Sequence, residues 1–305
     1  MSRIHEALKK AEQERASIQG GVPSSFTSAP VAEVPVYGEA VATAATPKLG
    51  MPEFAGPFSL ETLLSRCSQP EWKPDLQTML FMNGNDGARG TEEYRTLRSR
   101  LYHVREKMAL KKLLVTSALP KEGKSFTSAN LAQVMVRQHG RRALLIDADL
   151  RGPRLHQMLG APAGPGLAEY LTGKADEASV MQRGPMEGLF FIPSGEGIED
   201  PAELVASGKL KVLLQRLEPL FDWIIIDSPP VIPVSDASVL SKVCDGVLMV
   251  VRSNSTPSDL ARKARSEFPD QMLIGVVLNG TDHETAKYER YYYESYEKKV
   301  TPAQS

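Results

Sequence analysis

The sequence predicts an α/β domain whose mostly parallel sheet is doubly wound, with helices on both faces. Two observations from about residue 90 onward predict it. Short apolar runs rich in β-branched residues alternate with longer stretches of helical periodicity. These runs are apolar throughout rather than at every second position, which is typical of parallel strands buried on both faces. We expect a ligand of such a sheet to bind beyond the carboxyl ends of its strands.

The pattern also predicts where the individual elements lie. The predicted strands are Lys112–Thr116, Ala143–Ile146, Leu189–Ile192, Trp223–Ile226, Val247–Val251 and Leu273–Leu278. The helices predicted between them are Ser125–Gln138, Pro201–Leu217 and Pro257–Phe268. Because strands and helices alternate in this way, the connections are expected to cross over the sheet and keep it parallel.

The rest of the chain divides by composition. Residues 1–19 have apolar residues at helical spacing and predict an amphipathic helix, either solvated or docked on a membrane or protein partner. Residues 20–57 contain mostly Ala, Pro, Gly, Val and Ser with almost no charge, which predicts a disordered N-terminal linker. Apolar residues return in 58–89, interpreted as an adapter segment on the main domain. That domain is assigned to 90–285 and a tyrosine-rich tail to 286–305.

Composition excludes several classes of protein. The 36 Lys and Arg residues nearly balance the 37 Asp and Glu residues, so no nucleic-acid partner and no bulk attraction to an anionic membrane are expected. Cys67 and Cys244 are far apart, which argues against a disulfide scaffold or a zinc knuckle. No apolar run approaches the ~20 residues of a membrane-spanning helix. We therefore expect a soluble, cytoplasmic protein, held on a membrane at most by a partner.

A phosphate-binding loop follows the first predicted strand. Residues 118–125 are ALPKEGKS, which is the pattern GxxxxGK[ST] with Ala118 in place of the first glycine. The loop N–H groups and the following helix N-terminus suit phosphate oxygens, Lys124 suits the β- and γ-phosphates, and the Ser125 hydroxyl suits Mg²⁺. The residues expected at the nucleotide are Ala118, Pro120, Glu122, Gly123, Lys124, Ser125, Phe126, Arg151 and Asn279.

Carboxylates end two further strands. LLIDADLR places Asp147 and Asp149 after one strand, and WIIIDSPP places Asp227 after another. Each alone is typical of a helix cap or a turn. Together with the phosphate loop at one sheet edge, they favour a Mg²⁺ site formed by Ser125, Asp147 and Asp227. Asn279 ends the last strand and is expected either at the adenine edge or in a turn before the following glycine.

The tail is the last feature that the sequence singles out. Five of the nine tyrosines lie in YERYYYESY, separated only by polar residues; they are Tyr288, Tyr291, Tyr292, Tyr293 and Tyr296. An aromatic helix packed on the domain is one interpretation. The other is a flexible substrate that each subunit offers to the nucleotide site of another. Each phosphate added to it would bring about −1.5 to −2 charges.

These motifs resemble the bacterial tyrosine kinases of exopolysaccharide and capsule synthesis, which have a P-loop NTPase fold. The resemblance covers about residues 90–300 and includes the EEYRTLR helix, in which Glu92, Arg95 and Arg98 match the family's subunit contact. The opening MSRIHEALKKAEQ is similar to the members whose membrane adaptor is a separate chain. The resemblance implies ATP and Mg²⁺, a homo-oligomeric ring, a transmembrane chain-length or co-polymerase adaptor, a tyrosine phosphatase, and a peripheral location at the inner face of the membrane.

The same resemblance implies roles for the site residues. Lys124, Asp147, Asp149 and Asp227 would be catalytic, with Asp147 accepting the tyrosine proton or orienting metal waters. The main alternative is a nucleotide switch of the ParA and MinD type, the chromosome-partitioning and septum-positioning ATPases. Those proteins have the same P-loop fold with a deviant Walker A loop and share the DxD-like strand end, but their signature lysine falls where this chain has Leu119. Leu119 and the tyrosine tail favour the kinase.

Overall fold

The computed structural model describes residues 59–82 and 90–281. The predicted N-terminal helix (1–19), the linker (20–57) and the tyrosine tail (286–305) lie outside the described residues. No helix of the described part is both long enough and apolar enough to cross a membrane.

Seven strands form one sheet within this part of the chain. They are β1 Lys112–Ser117, β2 Ala143–Asp147, β3 Gln182–Arg183, β4 Leu189–Ile192, β5 Trp223–Asp227, β6 Gly246–Arg252 and β7 Leu273–Asn279. Their order is β3-β4-β2-β5-β1-β6-β7, and every neighbouring pair except β3 and β4 is parallel. The predicted α/β fold with a mostly parallel sheet is therefore confirmed.

Nine helices flank this sheet in the described ranges. They are α1 Leu60–Arg66, α2 Thr91–Arg105, α3 Lys124–Val136, α4 Leu155–Leu159, α5 Leu167–Thr172, α6 Pro201–Ala206, α7 Lys209–Leu217, α8 Asp236–Ser241 and α9 Ser258–Ser266. The single helix predicted over Pro201–Leu217 is wrong. Gly208 has φ 76°, a left-handed conformation that interrupts the helix, so α6 ends before it and α7 begins after it.

The sheet has an apolar core on each face, as a doubly wound sheet requires. Along β2, Leu144 and Ile146 belong to one core, whereas Leu145 belongs to the other. The first core receives residues of α5, α7 and α8, and the second receives residues of α2, α3 and α4. This alternation explains why β2 is apolar from Ala143 to Ile146.

The described part of the predicted adapter segment, 59–82, packs on the domain. Two buried amide side chains of α3 hold its backbone. Asn130 Oδ1 accepts the Leu80 N–H at 2.8 Å, and Gln133 Oε1 accepts the Phe81 N–H at 3.2 Å. Since α3 begins at the phosphate loop, the segment is attached directly to the helix that positions that loop.

Candidate functional site

The carboxyl ends of β1, β2 and β5 lie side by side at one edge of the sheet. β5 pairs with both of the other strands, and Asp227 is aligned with Asp147 on one side and with Val115 on the other. The three motifs that the sequence placed at strand ends therefore meet at this edge. Asp147 and Asp227 are both completely buried there.

The phosphate loop is shaped by residues with positive φ. Gly123 has φ 98°, and a Cβ at this position would lie 2.0 Å from Asn279 Nδ2. The loop therefore requires glycine here, both for its backbone and for its contact with β7. Ala118 does not have positive φ, so alanine in place of the first glycine introduces no backbone strain; Lys121, with φ 67°, is the strained residue instead.

Lys124 is the centre of the site's electrostatics. Its Nζ lies 2.6 Å from Asp149 Oδ2 and 3.9 Å from Asp227 Oδ2. Burial acts to lower the pKa of Lys124, but the negative charges of Asp227 and Asp149 outweigh it and hold the pKa above its usual value. The ammonium group is therefore charged and is available to exchange Asp149 for a phosphate oxygen.

Two hydroxyl groups of α3 hold the Asp227 carboxylate. Ser125 Oγ donates to Asp227 Oδ2 at 2.6 Å, and Ser128 Oγ donates to Asp227 Oδ1 at 3.0 Å. Ser128 was not predicted from the sequence, although its spacing of one helical turn from Lys124 was a usable signal. Burial raises the pKa of Asp227, whereas the charge of Lys124 and the bond from Ser125 oppose that shift.

Asp147 is as completely buried as Asp227. Its oxygens accept N–H groups from Leu155 at 3.1 Å and from Asp149 at 3.3 Å. Burial and the neighbouring charge of Asp227 raise the pKa of Asp147 to about 8. This group therefore gains or loses its proton near neutral pH, whereas an exposed carboxyl would remain ionised.

We expect the ligand-free protein to lose stability as the pH rises from about 4 to about 8. The unfolded Asp147 carboxyl, with pKa 3.8, is ionised in this window, whereas the folded one, with pKa about 8, keeps its proton. The folded state then binds more protons, so the free energy of unfolding falls with rising pH. Asp147→Asn is neutral at every pH and should reduce this dependence, leaving only the part that comes from the raised pKa of Asp227.

Thermal unfolding of both proteins between about pH 5 and pH 8 measures the effect. The difference between the unfolding midpoints should shift in favour of the variant as the pH rises. Asn keeps only one acceptor oxygen, but that loss does not depend on pH. Asp176 and Asp222 have lowered pKa values, so both are ionised across this range and do not produce the slope. If the unfolding midpoints of the two proteins change with pH in parallel, the raised pKa of Asp147 in the folded protein is wrong.

Three further residues predicted at the nucleotide have defined partners. Arg151 makes two hydrogen bonds to the buried Asp236, from Nε at 2.8 Å and from Nη2 at 3.1 Å. Asn279 is the last residue of β7; its side chain donates to the Glu122 carbonyl at 2.8 Å and accepts the Gly280 N–H, so it braces the loop. Phe126 packs edge-on against Tyr94, with ring centroids 6.1 Å apart. These three residues surround the cluster rather than join it.

The predicted subunit contact lies on α2. Glu92 and Arg95 form an ion pair at the surface. Arg98 is partly buried, and its Nη1 donates to the Val134 carbonyl at the end of α3 at 3.0 Å. Arg98 thus fastens α2 to the helix of the phosphate loop, while Glu92 and Arg95 remain on the outer surface.

The donor set fits a magnesium ion that keeps several of its waters. Within the described residues, no group of three or more His, Cys, Asp or Glu side chains is arranged to hold a metal. Ser125 and Asp227, 2.6 Å apart, instead offer one hydroxyl and one carboxylate oxygen. Mg²⁺ prefers oxygen ligands and commonly binds proteins through one or two carboxylates plus substrate phosphates. Ser125 and Asp227 would hold it, with Asp147 next to them.

The chain is similar in sequence to named bacterial tyrosine-protein kinases. No protein-family model matches the chain. It is 36% identical over 192 residues to the tyrosine-protein kinase YwqD of Bacillus subtilis, covering 62% of this chain and 81% of that one. It is also 36% identical over 182 residues to the succinoglycan biosynthesis transport protein ExoP of Rhizobium meliloti, covering 58% of this chain but only 23% of ExoP.

A solved structure of a tyrosine kinase domain has a similar fold. The kinase domain of the Escherichia coli tyrosine kinase ETK superposes with a TM-score of 0.61 at 28% sequence identity, covering 73% of this chain and 87% of that domain.

Proposed function

The chain belongs to the bacterial tyrosine-protein kinases of exopolysaccharide synthesis, and from this premise we propose that it phosphorylates its own C-terminal tyrosines, one subunit acting on the tail of another. The observation that best supports the proposal is the contact of Lys124 with Asp149 and Asp227 beside Ser125. That cluster is suited to a nucleoside triphosphate with a divalent cation. The kinship to named kinases favours this activity over a nucleotide switch.

The phosphoryl transfer begins with binding of ATP at the loop. Lys124 and the N–H groups at the start of α3 neutralise the β- and γ-phosphate oxygens. The structure supports this role because Gly123 makes no side-chain cap and leaves these N–H groups available. Ser125 and Asp227 would hold Mg²⁺, which supplies further charge neutralisation when bound.

The transfer itself moves one phosphoryl group and one proton. The bond between the γ-phosphorus and the bridging oxygen breaks, ADP leaves, and a tyrosine oxygen forms the new bond to phosphorus. The phenol proton passes to Asp147 in its ionised form, which a pKa of about 8 leaves partly populated at neutral pH, with Asp149 in support. A carboxyl with pKa about 8 is a better match to a phenol than an exposed carboxyl, because general-base efficiency rises as the two pKa values approach.

The proposed acceptors all lie in the tail, outside the described residues. They are Tyr288, Tyr291, Tyr292, Tyr293 and Tyr296. Incubating the purified chain with labelled ATP and Mg²⁺, followed by mass-spectrometric mapping, tests the proposal. We expect the label on these tyrosines. Label confined to other residues, or ATP hydrolysis without protein label, would contradict it.

We propose further that the EEYRTLR helix closes a ring in which each tail reaches a neighbouring site. Glu92 and Arg95 support this because they form an ion pair on α2 in which Glu92 is exposed and Arg95 is partly exposed. A contact between different surfaces of identical subunits closes into a ring only if the rotation allows it.

The double variant Arg95→Ala/Arg98→Ala should remain smaller than the wild type in the presence of Mg-nucleotide. Light scattering of the unphosphorylated proteins measures this. Because Arg98 also bonds to Val134, the single variant Arg95→Ala serves as a cleaner test and should show the same loss of assembly. Arg100→Ala changes an exposed arginine of the same helix outside the motif and should assemble normally. Equal masses for wild type and both Arg95 variants would disprove the ring contact.

We also propose that the chain works at the inner face of the cytoplasmic membrane through a separate transmembrane co-polymerase adaptor, with a tyrosine phosphatase resetting the tail. Residues 1–19 resemble the members of the family with a separate adaptor, and the kinship to ExoP supports a role in polysaccharide synthesis or transport. Cell fractionation tests this: the kinase should sediment with membranes only when the adaptor is present. Sedimentation that survives loss of every candidate adaptor would indicate direct lipid contact instead.

A further inference from the structure

The phosphate loop contains a buried carboxylate that its binding role does not explain. Glu122 is only 2% exposed, although it belongs to a loop that must bind anionic phosphates. One carboxylate oxygen accepts the Leu119 N–H at 2.5 Å, which closes a turn inside the loop. The other accepts the Thr256 hydroxyl and lies 3.4 Å from the Arg252 nitrogen.

Arg252, the last residue of β6, and Thr256, in the turn that follows it, belong to one segment before α9 that makes further hydrogen bonds around the loop. Arg252 Nη1 donates to the Lys121 carbonyl at 3.3 Å, and the Arg252 N–H donates to Thr256 Oγ1 at 3.2 Å. From the end of β7, Asn279 donates to the Glu122 carbonyl at 2.8 Å. We call Glu122, Arg252, Thr256 and Asn279 the loop latch. Its four residues connect the phosphate loop to two strands on the far side of β1.

The latch surrounds the one strained residue of the loop. Lys121 has φ 67°, a left-handed conformation that is unfavourable for a residue with a Cβ. Such conformations persist only when neighbouring bonds hold them in place. Arg252 bonds the Lys121 carbonyl itself, and Glu122 is the next residue along the chain.

We propose that the loop latch holds the phosphate loop in its nucleotide-binding shape before ATP arrives, and that Thr256 is a positioning residue for ATP. Thr256 lies outside every nucleotide motif and acts through Glu122. Its hydroxyl bonds the Glu122 oxygen that does not accept the Leu119 N–H, and so holds that oxygen away from the other loop N–H groups, which phosphate must use. The inference rests on the proposed function, because it assumes that ATP binds at this loop.

Thr256→Val tests the inference, since valine keeps the shape of the side chain but removes the hydroxyl. The dissociation constant of a fluorescent ATP analogue with Mg²⁺ should rise about tenfold, as expected for loss of a hydrogen bond to a charged group. The KM for ATP should rise with little change in kcat, because the contact acts before the transition state. Thr256→Ser keeps the hydroxyl and should restore the wild-type affinity.

A purely structural role predicts a different pattern. Thr256→Val would then lower the unfolding midpoint while leaving nucleotide affinity within twofold of Thr256→Ser, and that result would overturn the inference. Ser266→Ala removes an exposed hydroxyl at the other end of α9 and controls for general effects on that helix. If the wild type itself fails to bind the analogue, the proposed function fails; if it binds and Thr256→Val binds equally well, only the latch fails.

Discussion

Lys124→Met should reduce tail phosphorylation by on the order of 10³-fold, the upper range for removing one group that stabilises transition-state charge. Methionine keeps most of the length of the side chain but lacks the ammonium group that lies 2.6 Å from Asp149 and 3.9 Å from Asp227. Without the ammonium group, the phosphoryl oxygens lack a positive charge during transfer. The buried carboxylates of Asp149 and Asp227 lack it in the protein without ATP. Labelled-phosphate incorporation measures the loss.

The variant must be shown to be folded, because it leaves two buried carboxylates without their cation. A circular dichroism spectrum and an unfolding transition serve this purpose. Lys242→Met, which removes an exposed lysine at the end of α8, should phosphorylate at the wild-type rate. Persistent labelling of the tail by folded Lys124→Met would exclude the loop as the catalytic site.

Replacing the five tail tyrosines with phenylalanine should remove essentially all incorporated phosphate while leaving nucleotide binding unchanged. Phenylalanine keeps each ring but lacks the oxygen that accepts phosphorus. Two tyrosines of the domain are poor substitutes: Tyr94 is buried, and burial raises its pKa above the usual value. Burial also raises the pKa of Tyr170 to about 12.

Mass spectrometry of the five-fold variant after incubation with labelled ATP measures this effect. Tyr170→Phe provides the matched control, because it removes one phenol from the domain and should leave labelling intact. Undiminished label on the five-fold variant would show that the tail is not the acceptor, although the protein would still be a kinase.

The sheet could be predicted from the sequence because parallel strands buried on both faces have a local signature. All six predicted strands are present, with ends within one residue of the prediction. The missed strand, β3, has only two residues and pairs antiparallel with β4, so no periodicity could identify it. The break at Gly208 was missed because an isolated glycine is tolerated in many helices, and only its backbone conformation shows the interruption.

The residues at the centre of the candidate site could be predicted from the sequence, but their more distant contacts could not. Lys124, Ser125 and Asp227 lie at positions fixed by the loop pattern and by strand ends, and the structure brings them into contact. The partners of Glu122 were not predictable, because Thr256 is separated from it by 134 residues and only the order of strands brings the two together. The bond from Arg98 to Val134 was also not predictable, because it depends on how α2 packs against α3.

Transfer between subunits is the central claim, and mixing two inactive proteins tests it most directly. Lys124→Met retains the acceptor tail but not the site, whereas the five-fold phenylalanine variant retains the site but not the acceptor. Each is expected to remain unlabelled when incubated alone with labelled ATP and Mg²⁺. In the mixture, we predict label on the tail tyrosines of the Lys124→Met chain. An unlabelled mixture, under conditions where the wild type labels itself, would contradict transfer between subunits.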